Sequence, residues 1–180
     1  MTPVADARSP GFVLDTARLR LRPLTADDAP FLVALLNEPS FLQYIGDRHV
    51  RTLEDARGYV ERGPQASYAR HGHGLLLVLR REDDAPIGMC GLLKRDHLDD
   101  ADLGYAFLPA AWGRGYASEA AAAVLAHGAA AFGLRRVAAI VQPGNAASLK
   151  VLARLGFVFH STVRMPGEDQ DIELHVREAA

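Results

Sequence analysis

The sequence predicts an α+β fold, with a mixed and mostly antiparallel sheet of about seven strands and about four helices. Three apolar runs in the middle of the chain are joined by short connections, which is typical of an antiparallel meander. A long alanine-rich run then stands between two strand patterns, which indicates a right-handed crossover and local parallel pairing. The 180 residues suit one domain, which we expect at residues 11–180 after a flexible tail at residues 1–10.

The first third of the chain is predicted to hold one strand and two helices. Leu14–Pro23 alternates apolar and charged residues, as a half-buried strand does. Thr25 is a good N-cap for the first helix, and Pro39 follows where that helix should stop. A second helix is expected over Thr52–Arg70, with either a kink or a division into two pieces at Pro64 because proline removes a helical hydrogen bond.

The remaining elements follow the same apolar periodicities. Predicted strands are Leu75–Arg81, Pro86–Arg95, Ala101–Leu108, Arg136–Gln142, Phe157–Arg164 and Asp171–Arg177. Predicted helices are Ser118–Phe132 and Asn145–Leu155, and each is followed by a glycine that can close it.

Composition argues against several classes of function. The formal net charge is −2 and no block of Lys or Arg stands out, so we expect no nucleic-acid partner. The only cysteine, Cys90, excludes an internal disulfide, while His71 and His73 lie in a glycine turn without further ligands, so we expect no metal. Neither a membrane-spanning run nor a signal peptide is recognisable, which predicts a cytoplasmic protein without a membrane partner.

The turn between strand Ala101–Leu108 and helix Ser118–Phe132 contains two glycines, Gly113 and Gly115. Such a turn lets backbone N–H groups converge on one point, and the helix N-terminus adds partial positive charge there. It is suited to bind an anion, most often a phosphate. The alternative is a tight loop that needs glycine only for its positive φ angles.

A second polar group is expected beside this turn. Asn145 follows strand Arg136–Gln142 and can cap the next helix, and Ser148 lies one helical turn further on the same face. Capping accounts for Asn145 but not for a serine inside the helix. Since ligands bind where neighbouring parallel strands diverge, the two helix N-termini predict the two walls of a cleft.

Several motifs occur in a fixed order along the chain. They are Thr16–Arg22, Asn37–Pro39, Tyr44–Asp47, Gly104–Pro109, Trp112–Ala120, Asn145–Ser148 and Leu152–Phe157. In these residues the chain resembles the GCN5-related N-acetyltransferase (GNAT) superfamily, and most of all the branch that includes the ribosomal-protein N-acetyltransferases. The resemblance covers nearly the whole chain and implies a sheet splayed at its parallel pair.

The resemblance implies acetyl-coenzyme A as the acetyl donor. The superfamily's diphosphate loop corresponds here to Trp112-x-x-Gly115-x-Ala117, where Trp112 replaces a polar residue, so the amides of Gly113–Ala117 are expected to bind the diphosphate. The cofactor-binding residues implied in this way are Phe107, Leu108, Gly113, Arg114, Gly115, Tyr116, Ala117, Ser118, Asn145 and Ser148.

The resemblance also implies catalytic roles. The pantetheine arm of the cofactor would lie along Tyr105–Leu108, where an N–H near Phe107 or Leu108 would polarise the thioester carbonyl. Ser148 is the candidate proton donor to the departing thiolate, or else a hydrogen-bonding partner of the pantetheine arm. Asp102 is the candidate that receives the amine proton through water, or else an exposed strand aspartate.

We therefore expect an enzyme that moves the acetyl group of acetyl-coenzyme A to a primary amine by direct attack in a ternary complex. The acceptor is a protein N-terminus or a small-molecule amine, and the sequence does not choose between them. One alternative is a non-catalytic module that binds or senses acyl-coenzyme A, and another is an unrelated phosphate-binding module. A homodimer remains open.

Overall fold

The computed structural model describes residues 4–179, and the first three residues of the predicted tail lie outside this range. Its strands are β1 Leu14–Asp15, β2 Leu19–Pro23, β3 Leu75–Arg80, β4 Ala85–Leu93, β5 Asp102–Phe107, β6 Arg136–Val141, β7 Val158–Arg164 and β8 Asp171–Glu178. Within the described range they form one eight-stranded sheet in the order β1-β2-β3-β4-β5-β6-β8-β7. The predicted α+β class and the meander of β3, β4 and β5 are confirmed.

The helices are α1 Ala29–Leu36, α2 Pro39–Tyr44, α3 Leu53–Val60, α4 Ala66–His71, α5 Tyr116–Phe132 and α6 Ala146–Arg154. A π-helical stretch, Glu61–Gln65, joins α3 to α4 and contains Pro64, which confirms that the α-helix is divided into two pieces there. Helix α2 was not predicted, because Pro39 was interpreted only as a stop. Proline also suits the first position of a helix, where no N–H is needed, and there it begins α2.

The prediction of one strand over Leu14–Pro23 is wrong. The segment is a tight hairpin in which β1 pairs with β2 in antiparallel register, and Thr16 N–H donates to the Leu19 carbonyl (2.9 Å). Alternation continues through the turn, so periodicity alone does not reveal it. The fold therefore has one strand more than the sequence predicted.

The sheet opens where β5 and β6 meet. These strands are parallel, as predicted, yet Asp102 with Ala138 is their one paired position in the described structure. Past this pair the strands separate toward their C-terminal ends. The glycine turn follows the end of β5 and α6 follows the end of β6, so both predicted walls border the same opening.

Alternation along β5 assigns its side chains to the two faces of the sheet. Leu103 and Phe107 pack into the core beneath α5 and α6, and Tyr105 packs against the same core. Ala106 packs into the other core, which α1, α2 and α3 cover. Asp102 therefore points to the face opposite Tyr105.

Two further features concern the ends of the chain and its helices. Ala7 N–H donates to the Gly72 carbonyl (3.0 Å), which ties the segment after residue 4 to the end of α4. Among residues 4–179, no helix is long and apolar enough to cross a membrane.

Candidate active site

The glycine turn presents a row of unpaired backbone donors. Gly113 and Gly115 have φ angles of +72° and +79°, a region that disfavours other residues. Helix α5 begins at Tyr116, two residues before the predicted start. In the described part of the chain, no amide from Gly113 to Ser118 donates a hydrogen bond to another protein group, whereas Glu119 N–H donates to the Gly115 carbonyl (3.1 Å).

A partly exposed network of side chains contacts this turn. Glu119 Oε1 accepts hydrogen bonds from Thr16 Oγ1 (2.6 Å) and Arg18 N–H (2.9 Å), while its Oε2 accepts from Arg18 Nε (2.7 Å). Arg18 also donates through Nη1 to the Arg114 carbonyl (2.9 Å), and its guanidinium lies 4.5 Å from the centre of the Tyr116 ring. Arg18 therefore fixes the turn, a role that the sequence patterns did not indicate.

Trp112 fastens the turn to the end of β5. Its indole Nε1 donates to the Phe107 carbonyl (2.9 Å), although half of the residue (53%) is exposed. The residue that departs from the family pattern thus orients the strand that borders the opening.

Peptide groups of β5 alternate between β4 and the opening. Leu108 N–H donates to the Ile87 carbonyl (2.9 Å), next to β4. Alternate residues of an antiparallel strand form hydrogen bonds with the same neighbouring strand. The N–H groups of Tyr105 and Phe107 therefore face away from β4, toward the opening between β5 and β6. Leu108 N–H is therefore already paired with β4, whereas the Phe107 amide faces the opening.

The second wall is the N-terminus of α6. Asn145 Oδ1 accepts from Ser148 N–H (3.2 Å), which confirms the predicted cap. Ser148 Oγ lies 2.8 Å from the hydroxyl oxygen of Tyr105, and that hydroxyl is also 3.2 Å from the Ser148 carbonyl. Tyr105 and Ser148 thus connect β5 to α6 across the opening.

Tyr105 was not predicted as a site residue. Burial raises the pKa of its phenol to about 12, although the hydrogen bond with Ser148 acts in the opposite direction. The phenol therefore keeps its proton at neutral pH. Its position on the cleft face of β5 follows from alternation, but its contact with α6 depends on how far the strands separate.

Asp102 occupies a different environment from the one expected. Its side chain is 1% exposed and Oδ2 accepts from Arg95 Nε (3.1 Å), so the expectation of an exposed aspartate is wrong. Among the described residues, Oδ1 has no hydrogen-bond partner. Burial raises the pKa of Asp102, and Arg95 only partly offsets this effect.

Cys90 of β4 is paired in register with Tyr105 of β5, whereas His71 and His73 lie at and just after the end of α4. Cys90 is fully buried in β4, and burial raises the pKa of its thiol. His73 Nδ1 lies 2.9 Å from the Leu92 carbonyl. Over residues 4–179, no group of three His, Cys, Asp or Glu side chains is arranged to hold a metal ion.

Known proteins resemble this chain in sequence and in fold. A model of the acetyltransferase (GNAT) domain family matches residues 18–158. The uncharacterised N-acetyltransferase YoaA of Bacillus subtilis (strain 168) is 30% identical over 155 residues, which cover 84% of this chain and 86% of YoaA. The chain belongs to the GNAT acetyltransferase family, and it is an N-acetyltransferase.

Solved structures agree with this assignment. An acetyltransferase from Agrobacterium tumefaciens str. C58 is 26% identical, with a TM-score of 0.79 over 93% of this chain and 94% of that one. The ribosomal L7/L12 alpha-N-protein acetyltransferase RimL, in complex with coenzyme A, has a TM-score of 0.81 over 93% of this chain and 98% of RimL. RimL is only 20% identical, so this likeness concerns the fold alone.

Proposed function

We propose that the protein transfers the acetyl group of acetyl-coenzyme A to a primary amine by direct attack in a ternary complex. The observation that carries this proposal is the row of unpaired amides from Gly113 to Ser118, which borders the same opening as Ser148. An anion-binding helix N-terminus beside two separated parallel strands suits a long ligand with a phosphate group and a narrow, extended arm.

The cofactor would occupy the opening from both walls. The amides of Gly113–Ser118 would bind the diphosphate, aided by the dipole of α5. The pantetheine arm would pair with the free peptide edge of β5 at Tyr105 and Phe107, as an added strand does. Asn145 and Ser148 would contact the arm from the side of α6.

The acetyl carbon is the point of attack. The amine nitrogen forms a bond to this carbon, and the carbonyl oxygen takes the negative charge of the tetrahedral intermediate. Phe107 N–H would donate a hydrogen bond to that oxygen, which stabilises the developing charge. The C–S bond then breaks, the electron pair stays on sulfur, and the Ser148 hydroxyl supplies the proton that converts the thiolate to the thiol, while solvent restores the proton that the serine side has lost.

The proton that the amine loses goes to water in this proposal. Asp102 was the predicted acceptor through water, but Phe107 lies five positions further along the extended strand, a distance of about 16 Å. Its side chain is also buried beneath Arg95 and points to the other face of the sheet. Direct transfer to Asp102 is therefore excluded, and the predicted role would need a chain of water molecules.

A thiol-release assay tests this function. Acetyl-coenzyme A would be supplied with a panel of free α-amino peptides, amino acids, polyamines and other small amines, and product mass would confirm acetylation. We expect turnover of at least one acceptor and loss of most of it in Ser148→Ala, with unchanged affinity for coenzyme A measured by calorimetry. Tight binding without turnover of any acceptor would instead favour the acyl-coenzyme A sensing module.

A further inference from the structure

We propose that Tyr105 is a positioning residue that orients the Ser148 hydroxyl toward the sulfur of the bound cofactor. This inference rests on the proposed function, because it assigns Tyr105 a part in the same acetyl transfer. It is independent of the acceptor's identity, since it concerns only the thiol end of the cofactor.

The contact joins the two walls of the cleft. Tyr105 comes from β5 and Ser148 from α6, and their hydroxyl oxygens are 2.8 Å apart. This distance suits a hydrogen bond between two hydroxyl groups. Phe107 follows two residues after Tyr105, and its amide faces the same opening. One strand therefore supplies both the amide for the thioester carbonyl oxygen and the hydroxyl that orients Ser148 toward the sulfur.

The hydroxyl groups of Tyr105 and Ser148 can share their protons in two arrangements. In one arrangement Ser148 donates to Tyr105, and Tyr105 donates to the Ser148 carbonyl at 3.2 Å. In the other, Tyr105 donates to Ser148 Oγ, and the serine proton is free to point into the cleft. An anionic sulfur in the cleft favours the second arrangement, because only this one gives the sulfur a hydrogen-bond donor.

The same arrangement supports proton transfer when the C–S bond breaks. The Ser148 proton passes to the sulfur while the Tyr105 proton passes to Ser148 Oγ, which leaves no charged serine oxygen. Water then returns a proton to the Tyr105 oxygen, and the proton released by the amine replaces it in solution. The net result moves one proton from the amine nitrogen to the sulfur. A chain of two hydroxyl groups strengthens each hydrogen bond along it.

Tyr105→Phe tests the proposal, since it removes the hydroxyl and keeps the ring. With acetyl-coenzyme A and the best acceptor of the panel, we expect kcat to fall about tenfold while KM for acetyl-coenzyme A changes less than about twofold. In a Ser148→Ala background the same substitution should change kcat by less than about twofold, because its effect acts through the serine. An undiminished loss in that background would overturn the proposal.

A second measurement needs no acceptor. The titration of the bound coenzyme A thiol can be followed by thiolate absorbance, and a free thiol has a pKa of about 8.5. Donation from Ser148 stabilises the thiolate, so Tyr105→Phe and Ser148→Ala should each raise the pKa of the bound thiol. If wild type binds coenzyme A but acetylates nothing, this shift still tests Tyr105 while the proposed function fails. An unchanged titration in Tyr105→Phe, or no coenzyme A binding by wild type, would overturn the proposal.

Tyr68→Phe is the matched control. Tyr68 is also buried, and its hydroxyl donates to the Leu75 carbonyl and accepts from Leu24 N–H (3.1 Å). Tyr68 belongs to α4, and its hydroxyl reaches Leu75 at the start of β3, a strand that β4 separates from β5. We expect lower thermal stability with unchanged kcat and an unchanged thiol titration, which separates a structural hydroxyl from one that acts on the cofactor.

Discussion

The carboxylate of Glu119, in the first turn of α5, accepts hydrogen bonds from both the backbone and the guanidinium of Arg18, 101 residues earlier in the chain. The same guanidinium donates to the Arg114 carbonyl (2.9 Å). The hairpin of β1 and β2 is thereby fastened to the glycine turn. The conformation of the amides in this turn thus depends on a contact with the first hairpin of the chain, as well as on the glycines themselves.

Glu119→Gln should weaken cofactor binding through this contact. The amide keeps one acceptor but loses the ion pair with Arg18, so the turn gains freedom that binding must remove. We expect the Kd of coenzyme A to rise about threefold to tenfold in calorimetry. Glu54→Gln is the control, since Glu54 lies in the first turn of α3 and takes part in no ion pair formed within residues 4–179. Equal changes in the two variants would contradict the role of the Arg18 contact.

Gly115→Ala should weaken the binding of coenzyme A more than Arg114→Ala does. Alanine at a φ of +79° costs about 1 to 2 kcal/mol, and the turn can relieve this strain by rotating the amides away from the ligand. We expect the Kd to rise at least about tenfold for Gly115→Ala and less than about twofold for Arg114→Ala. Equal effects would mean that the arginine side chain binds the diphosphate.

Gly133→Ala provides the control for backbone strain. Gly133 closes the other end of α5 with a φ of +64°, so alanine there imposes a similar penalty far from the cleft. We expect a similar loss of thermal stability and an unchanged Kd. A higher Kd of coenzyme A in Gly133→Ala would show that the loss of stability alone reduces binding.

The sequence predicted local features well because their causes are local. Apolar runs and turn residues located β3 to β8, Asn145 was recognised as a cap, and Pro64 as a break in the helix. Features set by distant contacts were missed. The turn within Leu14–Pro23 is stabilised by Glu119, and Tyr105 meets Ser148 only because β5 and β6 separate after one pair. A periodic pattern of residues contains no information on how far two strands separate or on which distant residues come into contact.

Mild acid should destabilise the fold through two partly buried histidines. Burial lowers the pKa of both His73 and His127. The charge of Asp6 opposes this shift at both rings, and a backbone hydrogen bond opposes it at His73. The neighbouring ring of His71 lowers the pKa of His73 further. The neutral rings are favoured in the folded state, so stability is complete above the unfolded pKa of about 6.5 and falls as the pH decreases below it.

Denaturant unfolding measures this effect. Each histidine can contribute up to about 1.4 kcal/mol per pH unit between its two pKa values. We expect a lower free energy of unfolding at about pH 5.5 than at about pH 7.5, and a smaller difference in His127→Leu. His160→Gln, at an exposed position of β7, should keep the wild-type difference. An unchanged pH dependence in His127→Leu would contradict the assignment.

Asp102→Asn separates a structural aspartate from a catalytic base. Burial raises the pKa of Asp102 despite Arg95, so its charged form is disfavoured in the folded state. Its contribution to stability is therefore full below the ordinary aspartate pKa of about 3.9 and declines as the pH rises through the folded value. Asparagine carries no charge, and we expect the variant to be at least as stable as wild type near neutral pH, with the advantage disappearing toward about pH 4.

Because about 16 Å of strand separates Asp102 from Phe107, kcat of Asp102→Asn should stay within about threefold of wild type. A fall of about a hundredfold in kcat with unchanged affinity for coenzyme A would instead establish Asp102 as the acceptor of the amine proton, through water.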